Sequence, residues 1–511
     1  MSVSASAASG HNGAVAAGHR LAAETARDVL CEGGSSVDAA IAGSAVQCVV
    51  EMPWCGLGGD AFALVREVDG TVHALNGSGC APHDIARVLA KGARVPRFGP
   101  LSTGVPGLVD AWYELHDRFG KMPMNVLLDP ACRIAREGVA DPRLTKALSN
   151  LPGIDGGEQL ASLTASNGRF CQPDLAETLT AIAGEGRSVF YEGEIGARIA
   201  EHVLDRGGAL SRDDLAAHRS AWCEPMVSTY RDSTIYTQPP VSMGVLLLVA
   251  LRLFEQLYPG GVVGDPVDTI DAMVRIKKIV FGRVFPRLGD PRVVQNPDVL
   301  DEKFLAGLHD DVAADLALAP SGNDTTTLAV TGGDGATISF IHSLFNEFGA
   351  RELVPGAGIV LNDRLANLFV DAAQPNGLVG GKRPMHTLHS YVVERADGTA
   401  IAGATPGGRG QIQTNLQVLV EIIDRGSDLE QAIDRPRWVH GMPRTSPTDD
   451  TVYVEAALAD LGTALAERGH RVEVLDGDKD DQFGSCTMVA ATENTRNAAA
   501  DRRRSATAVA Y

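Results

Sequence analysis

Three consecutive threonines, Thr325, Thr326 and Thr327, stand at the start of an apolar run in the segment NDTTTLAV, residues 323–330. A threonine hydroxyl is a weak nucleophile until a base lies beside it. A free α-amine has a reference pKa of about 8, so a threonine at a newly made chain start would carry its own base. Threonine also favours the first residues of a solvent-facing β-strand, and the pattern alone does not separate the two interpretations.

A second segment with chemical potential is GATPGGRGQIQTNLQVLV, residues 403–420, where a strand pattern is followed by a sharp turn and a helix pattern. Gly407 and Gly408 occupy that turn. Backbone N–H groups near a helix N-terminus can stabilise a developing oxyanion. An ordinary glycine turn between strand and helix explains the same pattern, so both interpretations stand at this point.

Other motifs point away from a cofactor or a metal ion. GLGGD, residues 56–60, precedes a strand instead of opening a helix, so it is a poor dinucleotide or phosphate loop. His386 and His389 are three residues apart without a third ligand nearby, and no HExxH or GxSxG motif occurs. Eight cysteines without a CxxC pair predict no disulfide or metal framework, and Cys31 and Cys48 lie in apolar helical patterns typical of buried thiols. We therefore expect neither a cofactor nor a metal.

The elements that would position these residues are hairpins and helices. Three segments have strand patterns on either side of an Asp-Gly turn, at residues 62–75, 325–341 and 390–403. Helical patterns lie between them: Ser36 is the predicted N-cap of an almost wholly apolar helix, and SDLE at 427–430 is a predicted capping box. Antiparallel hairpins with long helices predict a layered α+β body.

Charge and hydropathy exclude several classes of partner. Lysine and arginine number 45 and aspartate and glutamate 64, so the net charge is −19, which disfavours nucleic acid and anionic membranes. The sequence has no basic, apolar leader and no apolar run of about 18 residues, which predicts a cytoplasmic protein without a membrane partner. Residues 498–511 have the composition of a loose tail with a solvated basic run, with a terminal strand as the alternative.

Seven motifs in a fixed order carry a resemblance to a known family: EGGSSVDAAIA, GLGGDAFALV, STGVPGLVDAW, TTTLAV followed by FG, GKRPMHTL, PGGRGQIQT and DLEQAIDRPR. Over residues 12–490 the chain resembles the gamma-glutamyltransferase family of N-terminal nucleophile hydrolases. The resemblance implies a four-layer αββα fold and a precursor that cuts itself between Asp324 and Thr325. Residues 1–324 and 325–511 would become a large and a small chain of one body that takes a small-molecule substrate. Assembly into a homo-oligomer is left open.

The same resemblance implies roles for individual residues. Thr325 would attack its own preceding carbonyl, emerge as a new N-terminus and then form an acyl-enzyme with the substrate. The N–H groups of Gly407 and Gly408 would face the oxyanion. Ser343 occupies the place where the family has a threonine that hydrogen-bonds the nucleophile, and its hydroxyl can keep that role.

Positions that hold the glutamyl head group in the family are changed here. Ser78 replaces an arginine, Asn367 an aspartate and Phe345 an asparagine, while His386 and Thr387 replace two serines. A zwitterionic head group would lose both of its charge partners, and burying it without them would cost several kcal/mol. We therefore expect γ-glutamyl compounds to be poor substrates.

A different acyl group is expected instead. His386, Arg364 and Arg409 are candidates to bind a carboxylate or keto oxygen, and Phe345 to make an apolar contact, although each also fits a purely structural role. The resemblance leaves two branches open. One contains amidohydrolases of small acids such as oxamate, and the other contains carbon–carbon bond hydrolases of actinomycete antibiotic pathways, of the lincosamide and pyrrolobenzodiazepine type. A true γ-glutamyl hydrolase or transferase and a non-catalytic binding scaffold are the remaining alternatives.

Overall fold

The computed structural model describes residues 7–89, 94–151, 160, 168–262, 264–308, 324–441, 449–475 and 481–511, without the side chains of Asp324 and Asp481. The strands are β1 Ala7–Gly10, β2 Gly13–Ala17, β3 Asp60–Arg66, β4 Val72–Gly77, β5 Ala221–Cys223, β6 Met226–Tyr230, β7 Ser233–Thr237, β8 Asp324–Gly332, β9 Thr337–Phe345, β10 Leu353–Val354, β11 Ile359–Val360, β12 Tyr391–Glu394, β13 Ala400–Ala404, β14 Trp438–His440, β15 Thr451–Glu455, β16 Arg471–Leu475, β17 Thr487–Ala491, β18 Arg496–Ala500 and β19 Thr507–Ala510.

The α-helices lie between groups of strands along the chain. They are α1 Arg20–Cys31, α2 Ser36–Val50, α3 Ala86–Leu89, α4 Leu108–Phe119, α5 Met124–Glu137, α6 Pro142–Ser149, α7 Pro173–Glu185, α8 Arg187–Tyr191, α9 Glu194–Asp205, α10 Arg212–Ala216, α11 Gly244–Leu257, α12 Pro266–Ile279, α13 Glu302–Ala306, α14 Gly410–Ile423, α15 Leu429–Asp434 and α16 Gly462–Glu467.

Two antiparallel sheets form the centre of the described chain. Sheet I has the strand order β19-β2-β8-β9-β3-β4-β5, and sheet II the order β1-β18-β17-β13-β12-β7-β6. Between the sheets lies a thin layer of mostly small side chains, which includes Ala14, Ala329, Ala402 and Ala498. Because these side chains are short, the two sheets can pack closely face to face.

Helices cover the outer face of each sheet. The apolar sides of α1, α2 and α4 pack on sheet I, with α5 against α2 and α7 against α5; α11 packs on sheet II, with α12 and α14 against α11. Helix α2 is buried at every position, in agreement with its almost wholly apolar sequence. The order helix, sheet, sheet, helix confirms the predicted α+β class and the αββα sandwich.

All three predicted hairpins are confirmed as β3–β4, β8–β9 and β12–β13. Each turn has its glycine at positive φ, the conformation that Asp-Gly turns require. These glycines are Gly70, Gly335 and Gly398.

The predicted helix caps were wrong by one residue. Helix α2 is capped by Ser35, not Ser36, since the Ser35 hydroxyl accepts from the Asp38 N–H in a capping box. Helix α15 is capped by Asp428, not Ser427. In both segments two neighbouring residues are good N-caps, and the local sequence does not choose between them.

The C-terminus is not a loose tail. Residues 507–510 form β19 at the edge of sheet I, paired with β2, which is the alternative that the sequence left open. The basic run is not wholly solvated either: the Arg503 side chain is fully buried and pairs with Glu455 and Asp501 at 2.6 and 3.2 Å. Of the two cysteines expected to be buried, Cys48 is buried and Cys31 is exposed at the end of α1.

Within the described residues, no helix has the length and apolar character needed to cross a membrane.

Removing the buried Arg503 should destabilise the protein strongly. Arg503→Met leaves Glu455 without its charge partner in the interior, which should cost about 3–5 kcal/mol of unfolding free energy. The matched control is Arg502→Met: this neighbouring side chain is 46% exposed and pairs with Glu430, so its loss should cost under about 1 kcal/mol. Urea denaturation followed by circular dichroism measures both, and equal losses would contradict the buried network.

Candidate active site

Strand β8 begins with an irregularity that contains Thr325. The backbone of Asp324 pairs with Phe345 and that of Thr326 with His342, and the register shifts between these two pairs. Thr325 lies in the shifted segment and is only 2% exposed. Irregular pairing of this kind is frequent beside active sites, where it re-aims one side chain.

The two threonines that follow are held on opposite faces of β8. Thr326 donates to a carboxylate oxygen of Glu51 at 2.7 Å and accepts from the Gln47 amide at 2.8 Å, both on the α2 side. Thr327 accepts from the Thr487 hydroxyl of sheet II at 2.8 Å. Side chains alternate along a regular strand, and the register shift interrupts that alternation at Thr325, directly before these two anchored residues.

Ser343 lies on the neighbouring strand β9, beside the start of β8, and is 1% exposed. Its hydroxyl accepts from the N–H of Phe345 at 2.8 Å, and its backbone pairs with Asp60 of β3. Phe345 has φ of 90°, a conformation that few non-glycine residues adopt and that is often found at functional sites. The end of β9 therefore turns sharply next to the predicted nucleophile.

The turn after β13 has the backbone that the sequence predicts. Gly407 and Gly408 have φ of 126° and 55°, and their carbonyls accept from the N–H groups of Gly410 and Gln411 at the start of α14. Within the described part of the chain, the N–H groups of the two glycines have no acceptor. The turn is joined to β8 through Thr487, whose backbone pairs with that of the nearby Ala404.

A buried ion pair lies at the head of β3. Arg364 Nε donates to Asp60 Oδ2 at 3.0 Å, and both side chains are 1% exposed. The other oxygen of Asp60 accepts from the Gly79 N–H at 2.7 Å, and the Arg364 guanidinium lies 4.5 Å above the ring of Phe345. Burial raises the pKa of Asp60 and lowers the pKa of Arg364, while their mutual attraction opposes both shifts.

Several polar atoms of the buried side chains that the structure describes around this ion pair have no partner. In the described chain, Arg364 Nη1 and Nη2, both ring nitrogens of His386, and Arg383 Nε are buried without a hydrogen-bond partner. The His386 ring meets the edge of Phe62 at 5.1 Å between centroids. Burial lowers the pKa of His386 well below its usual value, and the charges of Arg364 and Arg383 lower it further, so its imidazole is neutral.

Other residues expected to bind substrate use their polar groups within the protein. The Ser78 hydroxyl donates to Asn76, and the Asn367 amide donates to the carbonyl of Met385. The carbonyl of Thr387 accepts from the ring of His389.

Arg409 is 7% exposed and lies beside the glycine turn, 5.9 Å from the Phe285 ring centroid. Burial lowers the pKa of its guanidinium to about 9.

Several residues of this site were not predicted from the sequence. Asp60 is the last residue of GLGGD and directly precedes the apolar run AFALV. A carboxylate at the start of such a strand is rarely buried alone, which was a signal that it has a buried partner. Gln47 near the end of the apolar helix α2 and Glu51, its C-cap, are four residues apart, the spacing of one helical face, which was a similar signal. Arg383 stands in the GKRP motif and gave no separate signal.

The fold and site together define a class of protein: two antiparallel sheets between helical layers, with a buried threonine at the head of a central strand, are those of N-terminal nucleophile hydrolases. The gamma-glutamyltranspeptidase family model matches residues 22–511, so the chain belongs to that family and is an enzyme of the hydrolase type.

Its relatives include hydrolases with different names. A glutathione hydrolase-like YwrD proenzyme of Bacillus subtilis is 32% identical over 93% of this chain and 94% of its own. The oxamate amidohydrolase proenzyme of Klebsiella pneumoniae is 31% identical over 91% and 92%. The crystal structure of a cephalosporin acylase from Bacillus halodurans is similar with a TM-score of 0.89 and 30% identity, over 100% of this chain and 98% of that chain.

The neutral state of His386 predicts a dependence of stability on pH. The unfolded chain protonates this histidine near pH 6.5 and the folded protein only at a lower pH, so stability falls as the pH drops below about 6.5. His386→Gln should reduce the slope of unfolding free energy between pH 6 and 5 by about 1 kcal/mol per pH unit. Urea denaturation at a series of pH values measures it, and an unchanged slope would show that the folded protein protonates His386 normally.

Proposed function

We propose that the protein is a self-processing amidohydrolase in which Thr325 becomes the N-terminal nucleophile and a small carboxylate-bearing acyl group is the substrate. Two parts of the site support this proposal, one for the reaction and one for the substrate. Thr325 and the Gly407-Gly408 turn have the groups for acyl transfer. Arg364 and His386, whose buried nitrogens, unpartnered among the described residues, we call the Arg364 pocket, have the groups for recognition.

The observation that carries the substrate proposal is the state of the Arg364 guanidinium. Its Nε is bound to Asp60, while Nη1 and Nη2 are buried and unpartnered among the described residues. Unmade hydrogen bonds of a buried charged group are costly. A carboxylate accepts two parallel hydrogen bonds from a guanidinium, so it satisfies both nitrogens at once.

His386 extends the same pocket. A neutral imidazole has one N–H donor and one acceptor nitrogen, and both are buried without partners in the described chain. A keto or amide oxygen next to the carboxylate would accept from the donor, as in an oxalyl group. Phe62 fixes the ring from one side by an edge contact.

The strand register limits the length of the acyl group. Thr325 is on β8, Ser343 is on β9 and Asp60 is on β3, which are three consecutive strands. Neighbouring strands lie about 4.8 Å apart, so the backbones of Thr325 and Asp60 are separated by roughly 10 Å. An acyl group that reaches from Thr325 to the guanidinium bound to Asp60 would therefore be only a few atoms long.

The proposed reaction has two halves. The Thr325 oxygen adds to the amide carbonyl while the α-amine accepts its proton, and the N–H groups of Gly407 and Gly408 stabilise the oxyanion. The C–N bond breaks, the amine leaves with the proton, and an ester remains on Thr325. Water then adds to the ester, again with the α-amine as base, and the free acid and the threonine hydroxyl are restored.

The alternatives receive less support from the site. Phe345, the proposed aromatic wall for a larger substrate of a carbon–carbon bond hydrolase, is 2% exposed and packs under Arg364. The replaced glutamyl-binding positions disfavour a γ-glutamyl substrate. The relative that is named an oxamate amidohydrolase supports the amide of a small acid as the substrate. Both named bacterial relatives are described as proenzymes, which supports self-processing.

Self-processing has a direct test by intact-mass spectrometry. The purified protein should give one chain that ends at Asp324 and one that starts at Thr325, while Thr325→Ala should remain a single chain because it lacks the attacking hydroxyl. Thr331→Ala, a buried threonine on the same strand, is the matched control and should be cut normally. An uncut wild-type protein after several days would favour the non-catalytic scaffold.

Substrate recognition is tested with Arg364→Met. Loss of a buried charged partner costs roughly 2 kcal/mol or more, so kcat/KM for oxamate should fall at least about 30-fold. Hydrolysis of acetamide, which has no carboxylate, should change little. Arg231→Met, which removes an arginine paired with Asp424, is the control, and intact mass reports folding through self-cleavage. Equal losses for both amides would contradict a carboxylate on Arg364.

A further inference from the structure

A second group of chemically active side chains lies between β9 and α2, on the face of β9 that is turned away from sheet II. Cys48 of α2, Cys55 just after that helix, and His342 of β9 are buried, and their ligand atoms lie within 4.8 Å of one another. Among the described residues this is the one cluster of three or more metal-ligating groups so arranged. No sequence motif joins these residues, because 287 positions separate Cys55 from His342 along the chain.

The hydrogen bonds around His342 determine which nitrogen is free. The Gln47 amide nitrogen donates to Thr326 and Glu51, so its oxygen Oε1 is the end that faces His342 Nε2 at 3.0 Å. Nε2 must therefore carry the proton, and Nδ1 has a lone pair. Nδ1 is buried and has no hydrogen-bond partner in the described chain. Metal-binding histidines have this arrangement, with the remote nitrogen fixed by a second hydrogen bond.

The charges of the three groups are suited to a divalent cation. The three side chains are buried, and their ligand atoms lie within 4.8 Å of one another, so a single ion can contact all three. A divalent cation with two thiolates and a neutral imidazole has no net charge, so the complex can be buried at a much lower cost than its separate ions.

We propose that Cys48, Cys55 and His342 bind a thiophilic d¹⁰ cation, with Zn²⁺ as the ion. Thiolate and imidazole are the ligands that this class of ion prefers. On binding, the two thiol protons are released to solvent and two metal–sulfur bonds form, with no change of oxidation state. Three protein ligands leave the fourth position of a tetrahedral zinc ion to a small molecule such as water.

The proposed ion would connect α2 and β9 next to the catalytic residues. His342 precedes Ser343 in the chain, and Gln47 bonds both His342 and Thr326. The cation would therefore stabilise the position of β8 relative to β9. Its role would be structural, since none of its ligands faces the Arg364 pocket.

The experiment measures zinc in the full-length protein, expressed in zinc-supplemented medium so that the ion is present as the chain folds, and then desalted over a chelating resin. Elemental analysis should find about one zinc per protein, and close to none in Cys48→Ala and Cys55→Ala. Cys132→Ala, which removes another buried thiol, is the matched control and should keep the zinc.

A second measurement uses the wild-type protein alone, so it tests the proposal even if the cysteine variants do not fold. The wild-type protein produced with Co²⁺ in place of zinc should show the intense near-ultraviolet absorption of cobalt–thiolate bonds. Zinc content in the wild type no higher than in folded Cys55→Ala, or a cobalt protein without that absorption, would overturn the proposal. A Cys48–Cys55 disulfide in peptides mapped without reduction would also overturn it and identify the two thiols as a redox pair.

Discussion

The ion pair between Asp60 and Arg364 connects parts of the chain that are 304 positions apart, and the geometry of the pocket depends on it. Two opposite charges in a dry interior attract strongly, but each is costly without its partner. Asp60 begins β3, and its second oxygen binds the Gly79 N–H after β4. The segment that contains Arg364 is thereby held against sheet I, with the guanidinium over Phe345. Its remaining nitrogens are buried without a partner among the described residues, and they are the proposed anchor of the acyl group.

A similar constraint acts on the nucleophile strand. Thr326 is bound to Gln47 and Glu51 on the helical side of β8, and Thr327 is bound to Thr487 on the side of sheet II. Because both faces are fixed, the irregularity before Thr326 has little freedom, and Thr325 has a defined position. The three consecutive threonines therefore have separate roles: Thr326 and Thr327 position the strand, and Thr325 is the proposed nucleophile.

Local patterns predicted the fold well. Asp-Gly turns between alternating apolar strands predicted all three hairpins, and the almost wholly apolar sequence of α2 agrees with its burial. The family resemblance implied the αββα layers, which local patterns do not determine. Features that depend on distant partners were not predicted. Arg503 looks like a solvated residue in its basic run until Glu455 and Asp501 lie beside it. The cap of α2 at Ser35 depends on backbone angles that two adjacent serines do not distinguish.

In the candidate site, too, single residues could be predicted from the sequence, whereas contacts between distant residues could not. Arg364 and His386 were candidates because they stand in or near family motifs, but each also fitted a structural role. Only the structure brings Asp60 to Arg364 and leaves the outer nitrogens of the guanidinium unpartnered in the described chain. Cys48, Cys55 and His342 likewise become a group only when α2 packs on β9. Contacts across long sequence separations are fixed by packing, which no single segment encodes.

The most direct test of the central claim is a crystal structure of the self-cleaved wild-type protein soaked with oxalate, the acid that hydrolysis of oxamate would release. The account predicts one carboxylate bound by Arg364 Nη1 and Nη2 in a bidentate pair, with the other directed to Thr325 and the Gly407-Gly408 turn. Oxalate bound elsewhere, or a site left empty at a concentration that fully inhibits the enzyme, would contradict the assignment of Arg364 as the carboxylate anchor.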